Sequence, residues 1–277
     1  MSRLPTEAIA GPASVRPPVL LAPRGYPEQL FQLQSLLLQD ERALCSMATG
    51  EWLADEWGRP LSGAVGVLMD CVLANAATLH RPAGKGCVTT ELGLDFFRPL
   101  PMDGSTVFAA ATSPHGDGWG GFAEGQVQDE TGATLLHGTS WLKLVDEVPR
   151  PTAVPDGLAA HRGRSLKELL AGRDSPGGAW TVPENQLLTN PRGTVHGGVL
   201  TAIACYAATR HLGPDSGLDM ASIHASFVRP AVGELTVSAT DRHAGRSFRV
   251  VDVVVSNPTG KPCLLATVTF RAVDRGL

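Results

Sequence analysis

The sequence predicts an α+β protein built from two copies of one unit, each with a long helix packed on an antiparallel sheet. Residues 55–63 align with residues 190–198 at a constant offset, which we call the helix register. Each aligned segment leads into an apolar stretch, residues 65–77 and residues 199–212, that is typical of a buried helix. Segments of β-rich composition follow each helix, and a chain of 277 residues is long enough to bury two cores.

The downstream parts of the two copies also match, at slightly shorter offsets. Residues 94–99 parallel residues 225–230, an alignment that we call the strand register. Residues 131–132 parallel residues 259–260 at an offset that is shorter again. The decrease in offset along the chain requires only two short deletions in loops, where changes in length are tolerated. Agreement along the whole unit indicates an internal repeat.

The segments that precede each copy and join the two are less regular. Five prolines predict an irregular arm over residues 1–25, and residues 26–44 have the apolar spacing of an amphipathic helix. Residues 146–163 are rich in proline and poor in apolar pattern, which predicts a linker. Ser165 and Glu168 form the S-x-x-E pattern of a helix capping box. The predicted domains are the arm 1–25, the first copy 26–145, the linker 146–163 and the second copy 164–277.

The elements of the second copy follow from alternation and turn signals. Alternating side chains predict a strand over Gln186–Thr189, and the apolar stretch predicts a helix over Val199–Leu212. The turn cluster at residues 257–260 separates the last two β-segments. The four predicted strands are Met220–Arg229, Glu234–Arg242, Phe248–Ser256 and Cys263–Val273.

The composition and the charge of the chain argue against several classes of function. A net charge of −4 gives no basic footprint, which argues against nucleic-acid binding. Neither a signal-peptide pattern nor an apolar run of spanning length is present in the sequence, so we expect no membrane association. The five cysteines are scattered without metal-type spacing, which predicts reduced thiols, no metal site and a cytoplasmic protein.

The junction before the second predicted helix is the most informative motif. Asn190 precedes His196 by six positions, and Gly197 and Gly198 open the helix directly after it. The first N–H groups of a helix have no intrahelical partner, and the helix dipole adds partial positive charge there. Such a position suits a carbonyl oxygen that gains negative charge during nucleophilic attack.

This motif resembles the signature of hotdog-fold acyl-CoA thioesterases of the phenylacetate-pathway (PaaI) type. Their pattern is an Asn, a His-Gly-Gly six positions later, and an acid nine positions after the His. In this chain the ninth residue after His196 is Cys205. The helix register, however, aligns Cys205 with Asp70 of the first copy. In that copy Leu61 stands where the His is expected. The Phe-x-Arg-Pro segments and residues 245–248 are also similar to double-hotdog long-chain acyl-CoA thioesterases.

The resemblance implies two tandem hotdog folds, each a long helix wrapped by an antiparallel sheet, that form a pseudo-dimer within one chain. It implies one composite site, to which the first copy contributes Asp70 and the second copy contributes Asn190, His196, Gly197 and Gly198. The complementary site, with Asp55, Leu61 and Cys205, lacks the Asn, His and acid.

Roles in this site follow from the resemblance. The Gly197 and Gly198 N–H groups would polarise the thioester carbonyl. Asp70 would act as a general base on water or as a direct nucleophile, two alternatives that the sequence leaves open. Asn190 would orient water or the acyl group, and His196 would assist at the carbonyl or at the departing sulfur.

The implied reaction is hydrolysis of an acyl-CoA thioester to a free acid and CoA, with coenzyme A as part of the substrate and no other cofactor. Asn75, Arg98 and Arg229 are the candidate substrate-binding residues, and we expect homodimers of the tandem chain. Two alternatives stay open: a non-catalytic acyl or acyl-CoA binding protein, and a hotdog-type enoyl-CoA hydratase. The sequence does not identify the acyl chain.

Overall fold

A single antiparallel sheet of thirteen strands dominates the computed structural model, which describes residues 19–21, 25–148, 164–170, 172–175 and 179–272. The strands are β1 Val19–Leu21, β2 Leu36–Gln39, β3 Arg42–Ala48, β4 Lys85–Phe96, β5 Thr106–Gly116, β6 Gly120–Gln128, β7 Thr134–Asp146, β8 Arg173–Asp174, β9 Trp180–Val182, β10 Leu218–Phe227, β11 Leu235–Ala244, β12 Phe248–Ser256 and β13 Pro262–Ala272. Their order across the sheet is β1-β2-β3-β5-β6-β7-β4-β10-β13-β12-β11-β9-β8.

Two long helices accompany this sheet. The α-helices are α1 Tyr26–Leu30, α2 Gly66–Ala77, α3 Leu166–Leu170 and α4 Gly197–Leu212. Both α2 and α4 pack on the strands of their own half and contact each other, so they lie on the same face of the sheet. Every residue of α4 from Gly198 to Ala208 is buried, because the helix is covered by the sheet on one side and by α2 on the other. None of the helices in the described ranges has both the length and the apolar character needed to cross a bilayer.

The two halves of the sheet join through β4 and β10. These strands pair antiparallel from Ser222 opposite Asp95 to Ser226 opposite Glu91. On either side of this seam the strands follow one another in corresponding order, β4-β7-β6-β5-β3 in one half and β10-β13-β12-β11-β9 in the other. Each half thereby covers a sheet edge that would otherwise expose unpaired backbone groups. The predicted fold class, with one continuous sheet and both long helices on one face, is confirmed.

Two predicted elements are wrong. The helix expected over residues 26–44 ends at Leu30, and the leucine run that follows pairs as strand β2 with β1 and β3. Asp40 and Glu41 have φ values of 49° and 61° and form the turn between β2 and β3. A short leucine run fits a helix or a buried strand equally well, and only its pairing partners decide between them.

The strand expected over Gln186–Thr189 is instead a 3₁₀ turn over Gln186–Leu188. Asn185 causes this, because its side-chain oxygen accepts a hydrogen bond from the Leu187 N–H at 3.0 Å and starts the turn. The predicted capping box is confirmed: the Ser165 N–H donates to Glu168 at 3.0 Å, and the Glu168 N–H donates to Ser165 Oγ at 3.3 Å. The domain boundaries stay predictions, since most of the arm 1–25 and of the linker 146–163 lies outside the described residues.

A partly buried polar contact ties α4 to the loop before α2. The Tyr206 hydroxyl donates to Glu56 Oε2 at 2.7 Å, and Arg210 Nε donates to Glu56 Oε1 at 3.0 Å. We expect Tyr206→Phe to lower the free energy of unfolding by about 1–2 kcal/mol, because it removes one hydrogen bond to a charged group. Urea unfolding measures the effect. In a Glu56→Gln background the loss should shrink, and an equal loss there would contradict the assigned partner.

Candidate active site

The loop before α4 is held by the side chain of Asn190. Its Oδ1 accepts from the N–H groups of Arg192 at 2.9 Å and Thr194 at 3.4 Å, and its Nδ2 donates to Thr194 Oγ1 at 2.9 Å. Gly193 supplies the positive φ, 73°, that this turn requires. The turn ends in a bridge between Thr189 and Val195, which delivers the next residue to the start of the helix. Both polar atoms of the Asn190 amide are therefore engaged within the loop.

The first half contains the same turn. Asp55 Oδ1 accepts from the N–H groups of Trp57 and Arg59, each at 2.9 Å. Gly58 has a φ of 75°, and a bridge between Ala54 and Pro60 corresponds to the bridge in the second half. The helix register found in the sequence thus relates two loops with the same hydrogen bonding.

His196 is the N-cap of α4 and lies against Asp70. Its Nδ1 accepts from the Gly198 N–H at 3.1 Å and stands 3.3 Å from Asp70 Oδ2. The same Gly198 N–H also donates to Asp70 Oδ2 at 3.0 Å. Asp70 belongs to α2 of the first half, so the structure brings an acid from one half to the helix N-terminus of the other.

Asp70 is buried and held at both oxygens. Only 5% of the residue is exposed. In addition to the amide bond at Oδ2, its Oδ1 accepts from Thr89 Oγ1 at 2.6 Å. Two donors on a buried carboxylate fix its orientation and offset the cost of removing it from water.

The two glycine amides differ in a way that the motif did not reveal. The Gly198 N–H is already engaged by the acid, whereas the Gly197 N–H has no hydrogen-bond partner in the described part of the chain. A Cβ on Gly197 would stand 2.8 Å from Asp70 Oδ2, so only glycine leaves room for the carboxylate. One free amide, rather than two, remains for a substrate oxygen.

Sequence reasoning missed Thr89 and Glu28. Thr89 lies on β4, and no spacing in the sequence connects it with Asp70. Glu28 lies on α1, where its Oε1 stands 3.9 Å from His196 Nε2 and its Oε2 is buried without a hydrogen-bond partner among the described residues. The imidazole of His196 is therefore placed between two carboxylates. No spacing in the sequence connects Glu28, on α1, with His196 of the second half.

A cleft of about 200 Å³ opens one helical turn beyond Asp70 on α2. Asn75 and Asn190 both line it, together with the guanidinium groups of Arg81 and Arg192. Asn75 Nδ2 donates to the Cys71 carbonyl at 2.8 Å, while its Oδ1 accepts no hydrogen bond from a described residue. The remaining lining residues are Ala74, Thr78, Gly86, Cys87, Glu147, Val148 and Pro191.

The two arginines predicted to bind substrate lie elsewhere. Arg98 lines a larger cavity beside Asp55, and Arg229 Nη1 donates to the Pro262 carbonyl at 2.9 Å. Neither is among the residues that line the cleft with Asn75 and Asn190.

The positions that correspond to Asp70 and His196 in the other half hold buried apolar groups. Cys205 is 0% exposed and Leu61 is 2% exposed. Burial raises the pKa of Cys205 far above that of an ordinary thiol, so this thiol stays protonated. A neutral thiol neither accepts a proton from water nor attacks a carbonyl efficiently. Within the described ranges, no group of three His, Cys, Asp or Glu side chains is arranged to hold a metal ion.

The contact between Glu28 and His196 predicts a measurable effect on catalysis. We expect Glu28→Gln to lower kcat/KM about tenfold with the fold intact, because the imidazole loses one of the two carboxylates that flank it. Steady-state kinetics and thermal melting on the same preparation measure the two effects. Glu41→Gln, on an exposed turn, is the matched control and should leave kcat/KM unchanged. A full rate in Glu28→Gln would remove Glu28 from the site.

Comparison with known proteins agrees with this geometry. The family model of the acyl-CoA thioesterase N-terminal domain matches residues 188–271, which include the loop of Asn190, α4 and strands β10 to β13. The comparison with curated proteins gives no significant match.

Among solved structures, a protein from Novosphingobium aromaticivorans assigned as a thioesterase has a TM-score of 0.62 at 15% identity, with 86% of this chain and 98% of that chain covered. The tesB protein of Mycobacterium avium subspecies paratuberculosis has a TM-score of 0.58 at 14% identity, covering 85% and 94% of the two chains. The 12:0-ACP thioesterase of Umbellularia californica has a TM-score of 0.57 at 15% identity, covering 83% and 94%. At these identities the likeness establishes the fold. The chain therefore has the hotdog fold of these thioesterase structures, and residues 188–271 match the acyl-CoA thioesterase N-terminal domain.

Proposed function

We propose that the protein hydrolyses acyl-CoA thioesters to a free carboxylic acid and CoA, at one site formed between its two halves. The observation that carries the proposal is Asp70, a buried carboxylate of the first half bound to the Gly198 N–H at the start of α4 in the second half. A fixed acid beside a helix N-terminus combines a proton acceptor with a group that binds developing negative charge.

The Gly197 N–H polarises the thioester carbonyl. It is the helix-terminal amide that the acid leaves free, and it lies next to the carboxylate. As the carbonyl oxygen becomes an oxyanion, the hydrogen bond to this amide strengthens together with its attraction to the helix dipole. One such donor contributes roughly 3 kcal/mol to stabilisation of a transition state when it behaves like a measured oxyanion donor.

Asp70 activates the attacking group. As a general base it takes a proton from a water whose oxygen forms the new bond to the carbonyl carbon; as a nucleophile its own oxygen forms that bond and gives an anhydride that water then hydrolyses. In either route the carbon–sulfur bond breaks, and its electron pair leaves with the thiolate of CoA. The donors Thr89 and Gly198 keep the carboxylate oriented in both routes.

His196 donates a proton to the departing sulfur and recovers it from the attacking water, through Asp70 in the general-base route and directly when water hydrolyses the anhydride. Its imidazole lies between two carboxylates, with Nδ1 at 3.3 Å from Asp70 Oδ2 and Nε2 at 3.9 Å from Glu28 Oε1. Asn190 acts mainly through the loop that presents His196, because both of its polar side-chain atoms bond within that loop.

The substrate enters through the cleft beside Asn75 and Asn190. Arg81 and Arg192 against Glu147 leave the lining with one excess positive charge, which suits the phosphates of the carrier arm. Arg98 and Arg229 lie outside this cleft and are not assigned to the carrier. Two of the similar solved structures are thioesterases that act on acyl-ACP, from Bacteroides thetaiotaomicron and Umbellularia californica, so the carrier is tested together with the reaction.

Release of free thiol from acyl-CoAs of increasing chain length, followed with a thiol reagent, tests the proposal. We expect turnover with at least one acyl-CoA, and slower turnover with the acyl carrier protein thioester of the same acyl chain. Absence of thiol release from every thioester, with acyl-CoA binding retained, would indicate a binding protein. Faster turnover of the acyl carrier protein thioester would change only the assigned carrier, and the assigned reaction would stay thioester hydrolysis.

A further inference from the structure

A second and larger cavity lies at the other end of the interface between the two halves. It has a volume of about 370 Å³, within the range of small-molecule sites. Asp55 and Arg59 of the first half lie on one side, and Thr209 of α4 and Leu218 of β10 lie on the other.

This cavity is the counterpart of the cleft beside the candidate active site. In the helix register Asp55 corresponds to Asn190 and Thr209 to Ala74, and in the strand register Leu218 corresponds to Cys87. Asp55, Thr209 and Leu218 line the larger cavity. Their counterparts Asn190, Ala74 and Cys87 line the cleft. The chain therefore keeps a cavity on the side where Leu61 and Cys205 have replaced the reacting groups.

Arg59 lines this cavity, and one nitrogen of its guanidinium lacks a hydrogen-bond partner among the described residues. Arg59 Nε donates to Asp55 Oδ2 at 2.9 Å, and Arg59 Nη1 donates to the Gly213 carbonyl at 3.4 Å. Arg59 Nη2 is buried and has no hydrogen-bond partner among the described residues. The ring of Trp57 lies 4.6 Å from the guanidinium carbon and holds the group flat. A buried charged donor without an acceptor costs free energy, and an oxygen of a bound ligand would remove that cost.

The charge and the walls of the cavity define the ligand class. Three arginines, Arg59, Arg98 and Arg271, line it against two aspartates, which leaves one excess positive charge. Asp55 is occupied by its bond to Arg59. The apolar residues that line the cavity include Pro60, Phe96, Phe97, Leu212, Met220 and Phe270. An anionic head next to a hydrocarbon body complements both surfaces.

We infer that this cavity binds a monocarboxylic acid with an aliphatic body, its carboxylate on the Arg59 guanidinium and its chain against the apolar lining residues. In the cleft beside the active site, the residues that correspond to Asp55 and Arg59 are Asn190 and Thr194. They form a neutral pair, in which Asn190 donates to Thr194. Replacement by Asp55 and Arg59 introduces the guanidinium that a carboxylate needs. The site is distinct from the cluster of Asp70 and His196, and its occupation requires no hydrolysis.

Isothermal titration calorimetry with sodium decanoate on the full chain tests the inference. We expect decanoate to bind, and Arg59→Met to weaken its Kd at least ~10-fold through loss of a charged donor. Met220→Trp fills the cavity while retaining the bond between Arg59 and Asp55, so it should weaken binding even if Arg59→Met folds poorly. Arg173→Met, whose side chain is 70% exposed on the surface, is the matched control. Thermal melting of each variant verifies the fold.

His196→Ala separates the two cavities. Decanoate binding that survives this change and falls in Arg59→Met and Met220→Trp supports the inference, whether or not the protein hydrolyses thioesters. Binding that His196→Ala abolishes and Met220→Trp leaves intact would assign decanoate to the active-site cleft and overturn it. Two further results would overturn the inference. The first is displacement of decanoate by CoA in Asp70→Asn, together with decanoate binding that does not depend on Arg59. The second is an absence of binding at millimolar decanoate.

Discussion

Asp70→Asn should reduce kcat/KM for the best acyl-CoA by about 10²–10⁴-fold, the range for loss of a general base. The amide still accepts a hydrogen bond from the Gly198 N–H through its oxygen, so the packing of α2 on α4 is retained. What disappears is the negative charge that takes a proton from water or attacks the carbonyl. Thiol-release kinetics measure the rate, and a thermal melt within a few degrees of the wild-type value excludes unfolding.

Cys205→Ala is the matched control for Asp70→Asn, since the two positions correspond in the helix register. The thiol is fully buried and protonated, and we expect the rate to be unchanged with only a modest loss of stability. A loss of turnover equal to that in Asp70→Asn would contradict the model of one working site.

Much of the architecture followed from the sequence because it rests on patterns that are local. The apolar stretch after Gly198 fixes a buried helix, and the same stretch after Gly63 fixes its counterpart. The pairing of Asp70 with the second helix was also predictable, because the resemblance places the acid and the glycines on different copies. The hydrogen bond of 3.0 Å from the Gly198 N–H to Asp70 Oδ2 agrees with that placement.

The parts that the sequence did not provide depend on contacts between distant segments. Glu28 approaches His196 because α1 packs against the 3₁₀ turn Gln186–Leu188 of the second half. Thr89 donates to Asp70 only because β4 passes beside α2. Such contacts leave no spacing signal, since neither residue lies near its partner in the chain. The unequal engagement of the two glycine amides is likewise a matter of three-dimensional placement.

The different surroundings of Gly197 and Gly198 predict different effects for alanine substitutions at these neighbouring positions. In Gly197→Ala the new Cβ would stand 2.8 Å from Asp70 Oδ2 and 3.3 Å from its Oδ1 and Cγ, so the carboxylate has to move. The backbone of Gly197 does not have a positive φ, and alanine favours a helix, so stability should change little. We expect kcat/KM to fall about 100-fold, as a misplaced acid loses the reacting geometry. Ser62→Ala, at the corresponding position of the first half, should leave the rate unchanged.

In Gly198→Ala the new Cβ would meet backbone atoms: Val67 Cα at 2.4 Å, Gly66 O at 2.5 Å and Val67 N at 2.6 Å. Backbone atoms of a buried helix cannot move aside, so α2 and α4 must separate. We expect a loss of about 1–3 kcal/mol or more in the free energy of unfolding, together with loss of activity because the Asp70 contact crosses the same interface. Urea unfolding and thiol-release kinetics on both glycine variants decide the matter. Gly197→Ala should lose rate without stability, and Gly198→Ala should lose both. If Gly198→Ala melts like the wild type, the close approach of the two helices is wrong, and with it the position of the acid at the start of α4.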